Sequence, residues 1–269
     1  TPLFLFFFCT SCSNDEHSDT NCDLFNQNLK GKVVKTKTKI YKAKDKFGEV
    51  IYDESDLEEV DIVTYNDDGY ILSWCEYDEY GKETSKLIKT YNENNLIIEQ
   101  KEYDKGDLKS TEKSIIKDGK IIKKETKYTN GKTKTYTYEF EKNSTKPSKA
   151  YYVEWGKKWI KEFTYFDEYG SEKIADKCED DSIVIEVHYD KNFKKTSLTT
   201  NISTWYISSY KSQSTYEYNE NGDYAKIINT DYVEKYEYKE YDRKNNWTKR
   251  YIYKNDKIET IEEREITYK

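Results

Sequence analysis

Polar and apolar residues alternate with a period of two along most of the chain after residue 30. The alternation is clearest in residues 35–41 (KTKTKIY) and 133–140 (TKTYTYEF), which are also rich in β-branched and aromatic side chains. A period of two places every second side chain on the same face of a strand, so these segments predict half-buried β-strands. Helical spacing is weak throughout. Residues 56–61 could form a single helical turn, but residues 62–65 favour a strand.

The alternating segments are separated by a repeated turn motif. A tyrosine is followed by Asp or Asn and then by Gly or Asn in residues 65–69, 77–81 and 91–95. Degenerate copies recur about every 12 residues as far as the C-terminus. Asp, Asn and Gly tolerate positive φ values and form hairpin turns. The pattern therefore predicts a long antiparallel β-meander of roughly 15–20 short strands.

Composition limits how such a meander can fold. The chain has 269 residues, of which 28 are Tyr and 36% are charged, and its mean hydropathy is −1.09. Large aliphatic side chains are too few to fill a thick interior. We therefore expect an all-β fold in which a repetitive antiparallel β-meander forms a single twisted or rolled sheet or an open sandwich. A tight barrel with a thick apolar core fits this composition less well.

Several of the repeated segments are similar to known repeat families. Residues 77–82 (YDEYGK) and 91–95 (YNENN) resemble the YD repeats of Rhs-type proteins. Residues 118–124 resemble the short MORN-like repeats of bacterial antitoxin-like proteins, and residues 238–250 resemble a closing segment of uncharacterised Bacteroidota lipoproteins. The resemblance covers residues 60–269 and implies short YD-type hairpin repeats rather than an activity. Rhs proteins build a shell around a toxin from many such repeats, and this chain has too few copies to imply a closed shell.

The first residues predict export. Residues 3–8 are apolar, but a helix that crosses a bilayer needs ~20 apolar residues, so they match the hydrophobic part of a signal peptide. The small residues Thr10 and Ser11 precede Cys12, which resembles a bacterial lipobox and implies that Cys12 carries a lipid. Cys9 is the competing lipid-bearing cysteine. The same residues could instead belong to an ordinary signal peptide or to a buried hydrophobic start of the fold.

These features divide the chain into three parts. We expect residues 1–11 to be part of a lipoprotein signal peptide, residues 12–29 to be a lipidated polar tether, and residues 30–269 to be the β-repeat domain. The acidic residues 13–19 resemble the signal that sends Bacteroidota lipoproteins to the outer face of the outer membrane. We therefore expect a lipid-anchored protein of the outer membrane that is exposed at the cell surface, with a periplasm-facing protein as the alternative.

The remaining cysteines and the histidines offer little chemistry. Outside the export segment the chain has Cys22, Cys75 and Cys178, and we expect Cys75 and Cys178 to be buried thiols, with a bridge between them as the alternative. His188 lies on the polar face of a predicted strand, beside Glu186. Cys9 and Cys12 have the spacing of a metal-binding pair, but they lie in the export segment. Elsewhere the sequence has no metal-ligand spacing, nucleophile motif or phosphate-binding loop, so we predict no catalytic residue, no metal and no cofactor.

The aromatic residues are the best candidates for a binding surface. Trp155, Trp159, Trp205 and Tyr206 could form a stacking platform for a sugar or a protein on an exposed face of the sheet. The alternative is that these rings form the thin core.

Three functions are compatible with the sequence. The first is a non-enzymatic cell-envelope lipoprotein whose repeat sheet binds a protein or a glycan. The second is a structural or immunity-like module that pairs with a partner protein through its sheet edges. The third is a glycan-active hydrolase, which needs a cleft with converging carboxylates and a raised pKa. The net charge of −7 disfavours nucleic acid as a partner.

Overall fold

The computed structural model describes residues 22–269, with the exception of residues 155, 168, 179–180 and 205–206. Nearly all of the described chain is extended. The short elements at the start are helix α1 (Asp23–Asn26), strands β2 (Lys44–Lys46) and β3 (Glu49–Ile51), and a 3-10 turn (Glu54–Asp56). The long strands in the first half are β1 (Val33–Lys42), β4 (Leu57–Tyr65), β5 (Ile71–Asp78), β6 (Glu83–Tyr91), β7 (Ile97–Asp104), β8 (Asp107–Lys117), β9 (Lys120–Tyr128), β10 (Thr133–Phe140) and β11 (Pro147–Glu154). Those in the second half are β12 (Lys157–Tyr165), β13 (Glu172–Cys178), β14 (Asp181–Tyr189), β15 (Lys195–Thr204), β16 (Ile207–Tyr218), β17 (Tyr224–Asn229), β18 (Val233–Tyr241), β19 (Trp247–Lys254) and β20 (Lys257–Tyr268).

The long strands form a closed antiparallel β-barrel. From β4 to β20 each strand pairs with the next one along the chain. Strand β1 closes the sheet, because it pairs with β4 on one side and with β20 on the other. All eighteen strands of this sheet therefore have two neighbours, while β2 and β3 form a separate hairpin. The antiparallel meander is confirmed, but the expectation of an open sheet or a sandwich is wrong.

The sheet can close although the chain has few aliphatic residues, because this barrel has no thick apolar core to fill. Its inward positions carry tyrosines and paired charged side chains around a cavity, so few aliphatic residues suffice. Closing the sheet also pairs the backbone groups that an open edge would leave exposed. Edge pairing with a partner, which the second functional hypothesis requires, is thus unavailable to the eighteen strands.

The repeated motif forms the turns, as predicted. In the turn after β6, the Asn92 side-chain oxygen accepts hydrogen bonds from the backbone N–H groups of Asn94 (3.0 Å) and Leu96 (2.9 Å). Asn95 has a φ of 57°, in the left-handed region that Asn tolerates. The same pair of acceptor bonds is made by Asn66, Asp78, Asp167, Asp190, Asn219 and Asp242.

The tyrosines at strand ends fasten neighbouring strands to each other. The hydroxyl of a tyrosine at the end of one strand donates to the carbonyl group of the first residue of the strand before it. The donors are Tyr91, Tyr165 and Tyr218, and the acceptors are Ile71 (2.9 Å), Pro147 (3.0 Å) and Lys195 (2.8 Å). This contact gives the tyrosine of the repeat a structural role beside that of the turn residues.

Successive turns alternate between the two ends of an antiparallel barrel, which defines two rims. The N-terminal rim consists of turns 66–70, 92–96, 118–119, 141–146, 166–171, 190–194, 219–223 and 242–246. The opposite rim includes turns 79–82, 105–106, 129–132, 230–232 and 255–256 and the β2–β3 hairpin.

Residues 22–32, which we call the strap, lie across the N-terminal rim. The Leu24 N–H donates to the Gly69 carbonyl (3.1 Å), and the Asn28 amide donates to the Asp223 carboxylate (2.7 Å). Gly69 has a φ of 84°, and a Cβ atom there would lie 3.0 Å from the sulfur of Cys22. Residues 22–29 of the predicted tether are therefore packed against the barrel.

Three small clusters take the place of a single core. Leu29 and Val33 lie in the cluster beneath the strap, and Tyr41 and Ile261 lie in another under the β2–β3 hairpin. The third contains Tyr152, Trp159 and Cys178. Cys22, Cys75 and Cys178 are buried, which confirms the burial predicted for Cys75 and Cys178, and no disulfide joins these two residues.

Candidate functional site: the barrel lumen

The barrel encloses a cavity of about 1360 Å³. Its lining includes turn residues of the N-terminal rim, among them Asn95, Tyr169 and Gly222, so the cavity extends to that rim. Towards the opposite rim the lining ends at strand residues such as Tyr128 and Lys134. Typical small-molecule sites are clefts of ~300–1,000 Å³, so this lumen is large enough for a ligand of several rings.

Aromatic side chains line much of the lumen. On one side, the ring of Tyr152 lies 4.6 Å from that of Tyr136 and 6.0 Å from that of Trp159, centroid to centroid. Burial raises the pKa of Tyr136 far above its ordinary value, so its phenol stays protonated and can donate a hydrogen bond. On the other side, further rings are contributed by Tyr218, Tyr224, Tyr236, Tyr238 and Trp247.

Lysines and carboxylates pair across neighbouring strands inside the lumen. Lys124 lies 3.0 Å from a Glu112 oxygen, and Lys161 lies 3.2 Å from an Asp176 oxygen. Lys134 lies 2.9 Å from a Glu154 oxygen. Its ammonium group also lies 4.6 Å from the centroid of the Tyr152 ring. Such pairing lets charged residues occupy the interior, because an isolated buried charge is strongly unfavourable.

Two arginines meet at Trp247, which is 3% exposed. The Arg250 guanidinium carbon lies 4.2 Å from the Trp247 ring centroid, and its nitrogens contact the Glu262 carboxylate at 2.7 and 2.9 Å. The Arg264 guanidinium carbon lies 3.5 Å from the same ring centroid. The Nε and Nη1 atoms of Arg264 are buried and have no hydrogen-bond partner among the described residues. Burial and the nearby Arg250 lower the pKa of Arg264 to about 10.

Three carboxylates converge on the lumen side of β4 and β5. One oxygen each of Glu59, Asp61 and Glu76 lies within 4.8 Å of the others, the one group within the described ranges that could hold a metal ion. The Trp74 indole N–H donates to Asp61 at 3.3 Å. Burial and the neighbouring Glu59 raise the pKa of Asp61 to about 7, while burial and Asp61 raise the pKa of Glu76. Burial and mutual repulsion therefore raise the pKa of all three carboxyl groups.

The outer wall of the barrel is charged even at mid-strand. Glu99 pairs with Lys101 at 2.8 Å and with Lys113 at 3.5 Å, and the Lys113 side chain is 69% exposed. Glu162 makes a similar pair with Lys177 at 2.8 Å. A barrel that faces lipid carries an apolar band ~25 Å tall, and a lysine at the bilayer midplane costs about 2–4 kcal/mol. The charge pattern of this wall suits water instead of hydrocarbon.

The predicted aromatic platform is only partly described. Trp159 is 4% exposed and packs in a buried cluster with Tyr152 and Cys178, so it does not belong to an exposed face. Trp155, Trp205, Tyr206 and the proposed lipid-bearing Cys12 lie outside the described residues. His188 faces outward and contacts Glu186 at 2.8 Å, which confirms its place on the polar face.

The lumen residues were not singled out from the sequence. Tyr136, Arg250 and Arg264 lie at alternating positions of predicted strands, but alternation does not tell which face becomes the interior. The rarity of arginine was a usable signal, because two of the only three arginines of this lysine-rich chain lie in the lumen.

Within the described residues no helix is long and apolar enough to cross a membrane.

Comparison with known proteins gives a likeness of architecture. A porin-like protein from Bacteroides uniformis is 11% identical, with a TM-score of 0.43 over 87% of this chain and 96% of that chain. A porin-like protein from Bacteroides vulgatus is 11% identical, with a TM-score of 0.44 over 89% of this chain and 99% of that chain. A TcdB2–TccC3–Cdc42 complex is 12% identical over 75% of this chain and 14% of the other, with a TM-score of 0.26. Likeness at this level supports no inference about activity.

No protein-family model and no curated protein sequence matches the chain. Membership of a YD-repeat family therefore stays a prediction. The outer-membrane location, lipid anchoring and surface exposure also stay predictions.

Proposed function

We propose that this protein is a non-enzymatic cell-envelope lipoprotein that binds a glycan in the lumen of its barrel. The observation that carries the proposal is the cavity of about 1360 Å³, which extends to the N-terminal rim and is lined by tyrosines and charged side chains. Sugar rings stack on aromatic faces and exchange hydrogen bonds with polar groups, and this lining offers both.

The outer wall supports a location in water beside the membrane. Its lysine–glutamate pairs suit an aqueous surface, so anchoring would depend on the lipid at Cys12 rather than on the barrel. A tether of nine residues, 13–21, spans at most about 32 Å. The N-terminal rim, and with it the mouth of the lumen, would then face the membrane that holds the lipid.

Binding can be tested with a glycan array and isothermal titration calorimetry on the purified chain. Tyr136→Leu removes an aromatic ring from the lumen, and Tyr151→Leu removes one from the outer face of the neighbouring strand. We expect Tyr136→Leu to weaken glycan binding at least tenfold, on the order of the ~1.4 kcal/mol that one ring contact contributes. Tyr151→Leu is expected to have no effect. Equal loss in both variants, or loss in neither, would rule out the lumen as the site.

A second candidate function, glycan hydrolysis, is favoured by the three carboxylates. A glycosidase needs one protonated and one ionised carboxyl group near the scissile bond. Asp61, with a pKa raised to about 7, fits the general acid, and Glu59 or Glu76 would have to serve as the ionised partner.

Product analysis decides between binding and hydrolysis. The glycan that binds is incubated with the protein and examined by chromatography. The hydrolase would be established if the wild type releases reducing ends from the glycan, and if Asp61→Asn still binds the glycan but releases none. An intact glycan after prolonged incubation at pH 5–8 supports the binding function.

A further inference from the structure

The Arg264 guanidinium makes no ion pair with any described residue of the lumen. Two of its nitrogens, Nε and Nη1, are buried and have no hydrogen-bond partner among the described residues. Its close contact is the Trp247 ring, with the guanidinium carbon 3.5 Å from the ring centroid. A buried charged group with unsatisfied donors is rare in folded proteins, because the lost hydration is normally replaced by a partner.

Arg250, which lies beside Arg264, has a hydrogen-bond acceptor for its guanidinium group. Arg250 lies against the same ring, and Glu262 accepts its hydrogen bonds at 2.7 and 2.9 Å. Glu262 thus neutralises Arg250. Burial and the nearby Arg250 lower the pKa of Arg264 to about 10, while Glu262 and Asp223 act in the opposite direction. Both arginines line the cavity.

We propose that Arg264 is the anion-recognition residue of the lumen and that the ligand is an acidic saccharide, which bears a carboxylate or a sulfate ester. This inference rests on the proposed function and narrows its ligand class. The anionic group would pair with the Arg264 guanidinium, which lines the cavity, and a sugar ring would stack on the aromatic side chains beside it, such as Tyr238, whose ring lies 6.3 Å from that of Trp247.

The inference predicts that removal of the Arg264 charge raises the stability of the ligand-free protein and weakens the binding of an acidic ligand. Arg264→Met keeps most of the side-chain volume and removes the unpaired charge. We expect this variant to have a melting temperature about 2–4 °C higher than the wild type in the absence of ligand. We also expect its affinity for trigalacturonate to fall at least tenfold.

The other two arginines of the chain serve as controls. Arg243→Met changes an exposed arginine of the rim turn and should alter neither property. Arg250→Met leaves Glu262 without its partner and should lower the melting temperature.

The binding measurement uses three probes by calorimetry. These are trigalacturonate, a sulfated heparin disaccharide and the neutral sugar galactotriose. The inference is supported if an acidic probe binds and meets two conditions. Arg264→Met must weaken its binding at least tenfold, and galactotriose must bind at least tenfold more weakly than this acidic probe. The acidic probe that meets both conditions identifies the anionic group. Inorganic sulfate provides a direct check, because it should raise the melting temperature of the wild type more than that of Arg264→Met at equal ionic strength.

Failure of the inference can be told apart from failure of the proposed function. If galactotriose binds as well as the acidic probes, and Tyr136→Leu but not Arg264→Met weakens it, the lumen binds glycans and the anion site is refuted. If no acidic probe binds and sulfate stabilises both proteins equally, the anion site is refuted as well. If Tyr136→Leu leaves every probe unaffected, the lumen function itself fails.

Discussion

Individual side chains decide whether the interior of this barrel is stable. Lys161 and Asp176 face each other across β12 and β13 inside the lumen, and the Asp176 side chain is only 12% exposed. Lys177 and Glu162 form a pair on the outside of the same two strands, where the Lys177 side chain is 56% exposed. The two pairs have similar N–O distances, 3.2 and 2.8 Å, and differ mainly in their access to water.

This difference predicts unequal effects of the same substitution. Lys161→Met leaves the Asp176 carboxylate buried without its partner and should lower the free energy of unfolding by about 2–4 kcal/mol. Lys177→Met should change it by less than about 1 kcal/mol. Urea titrations of the two variants at pH 7 measure the difference, and equal losses would show that the inner pair is hydrated like the outer one.

A second prediction at the residue scale concerns pH. Burial and Glu59 raise the pKa of Asp61 from its ordinary 3.8 to about 7. The folded protein therefore keeps a proton that the unfolded chain releases above about pH 4, so the contribution of Asp61 to stability is largest below that pH. It falls as the pH rises towards 7.

Asp61→Asn tests this dependence, because asparagine keeps the oxygen that accepts from Trp74 and cannot ionise. The variant should be more stable than the wild type by about 1–3 kcal/mol at pH 8 and nearly equal to it at pH 4. Thermal melts across this range measure it. A constant difference at all pH values would contradict a raised pKa.

At the scale of the element, several turns share the same side-chain acceptor. The Asp78 side chain accepts from the backbone N–H groups of Tyr80 (3.1 Å) and Lys82 (2.9 Å), and Gly81 follows with a φ of 76°. Asn66 and Asn92 make the same bonds in equivalent turns. The acceptor oxygen, rather than the charge, is the shared feature.

Substitutions at Asp78 separate these two properties. Asp78→Ala removes the acceptor and should lower the free energy of unfolding by about 1–2 kcal/mol. Asp78→Asn keeps the acceptor and should stay within about 0.5 kcal/mol of the wild type. Urea titration distinguishes them, and equal effects would mean that the charge organises the turn.

The predictions from the sequence were most accurate for individual strands and turns. The motif around Tyr91 and Asn92 predicted a strand end and a turn, and both are present. Turn chemistry is local, since the Asn92 oxygen bonds to groups two and four residues ahead, and local chemistry can be recognised without the rest of the fold. The strap was not predicted as an ordered segment, because its contacts, such as that of Asn28 with Asp223, join residues far apart in the chain.

At the scale of the whole molecule, the charged wall and the N-terminal cysteine make separate predictions about the membrane. The outer pairs of Glu99 and Glu162 suit water, so the barrel alone should not enter detergent micelles. The lipid at Cys12 would then be the only anchor.

Phase partition in Triton X-114 tests this on protein expressed in a lipoprotein-processing host. We expect the wild type to enter the detergent phase and Cys12→Ala to remain in the aqueous phase. Cys9→Ala is the matched control and should behave as the wild type does. Recovery of Cys12→Ala in the detergent phase would show that the wall itself binds the membrane.

A separate experiment determines whether the protein is exposed at the cell surface or faces the periplasm. Protease treatment of intact cells, with a periplasmic protein as the control, should degrade the protein if it is exposed at the surface. Survival of both proteins would place it in the periplasm, where its glycan would be an envelope component.

The sequence by itself determined the strands, their antiparallel order and the turns, because alternation and turn chemistry act over a few residues. It also determined that His188 lies on the polar face of its strand together with Glu186, which the strand period requires. Only the tertiary structure decided that the sheet closes, because closure depends on β1 pairing with β20 across more than two hundred residues. That closure in turn decided which face became a lumen and brought Arg250 and Arg264 together beside one tryptophan.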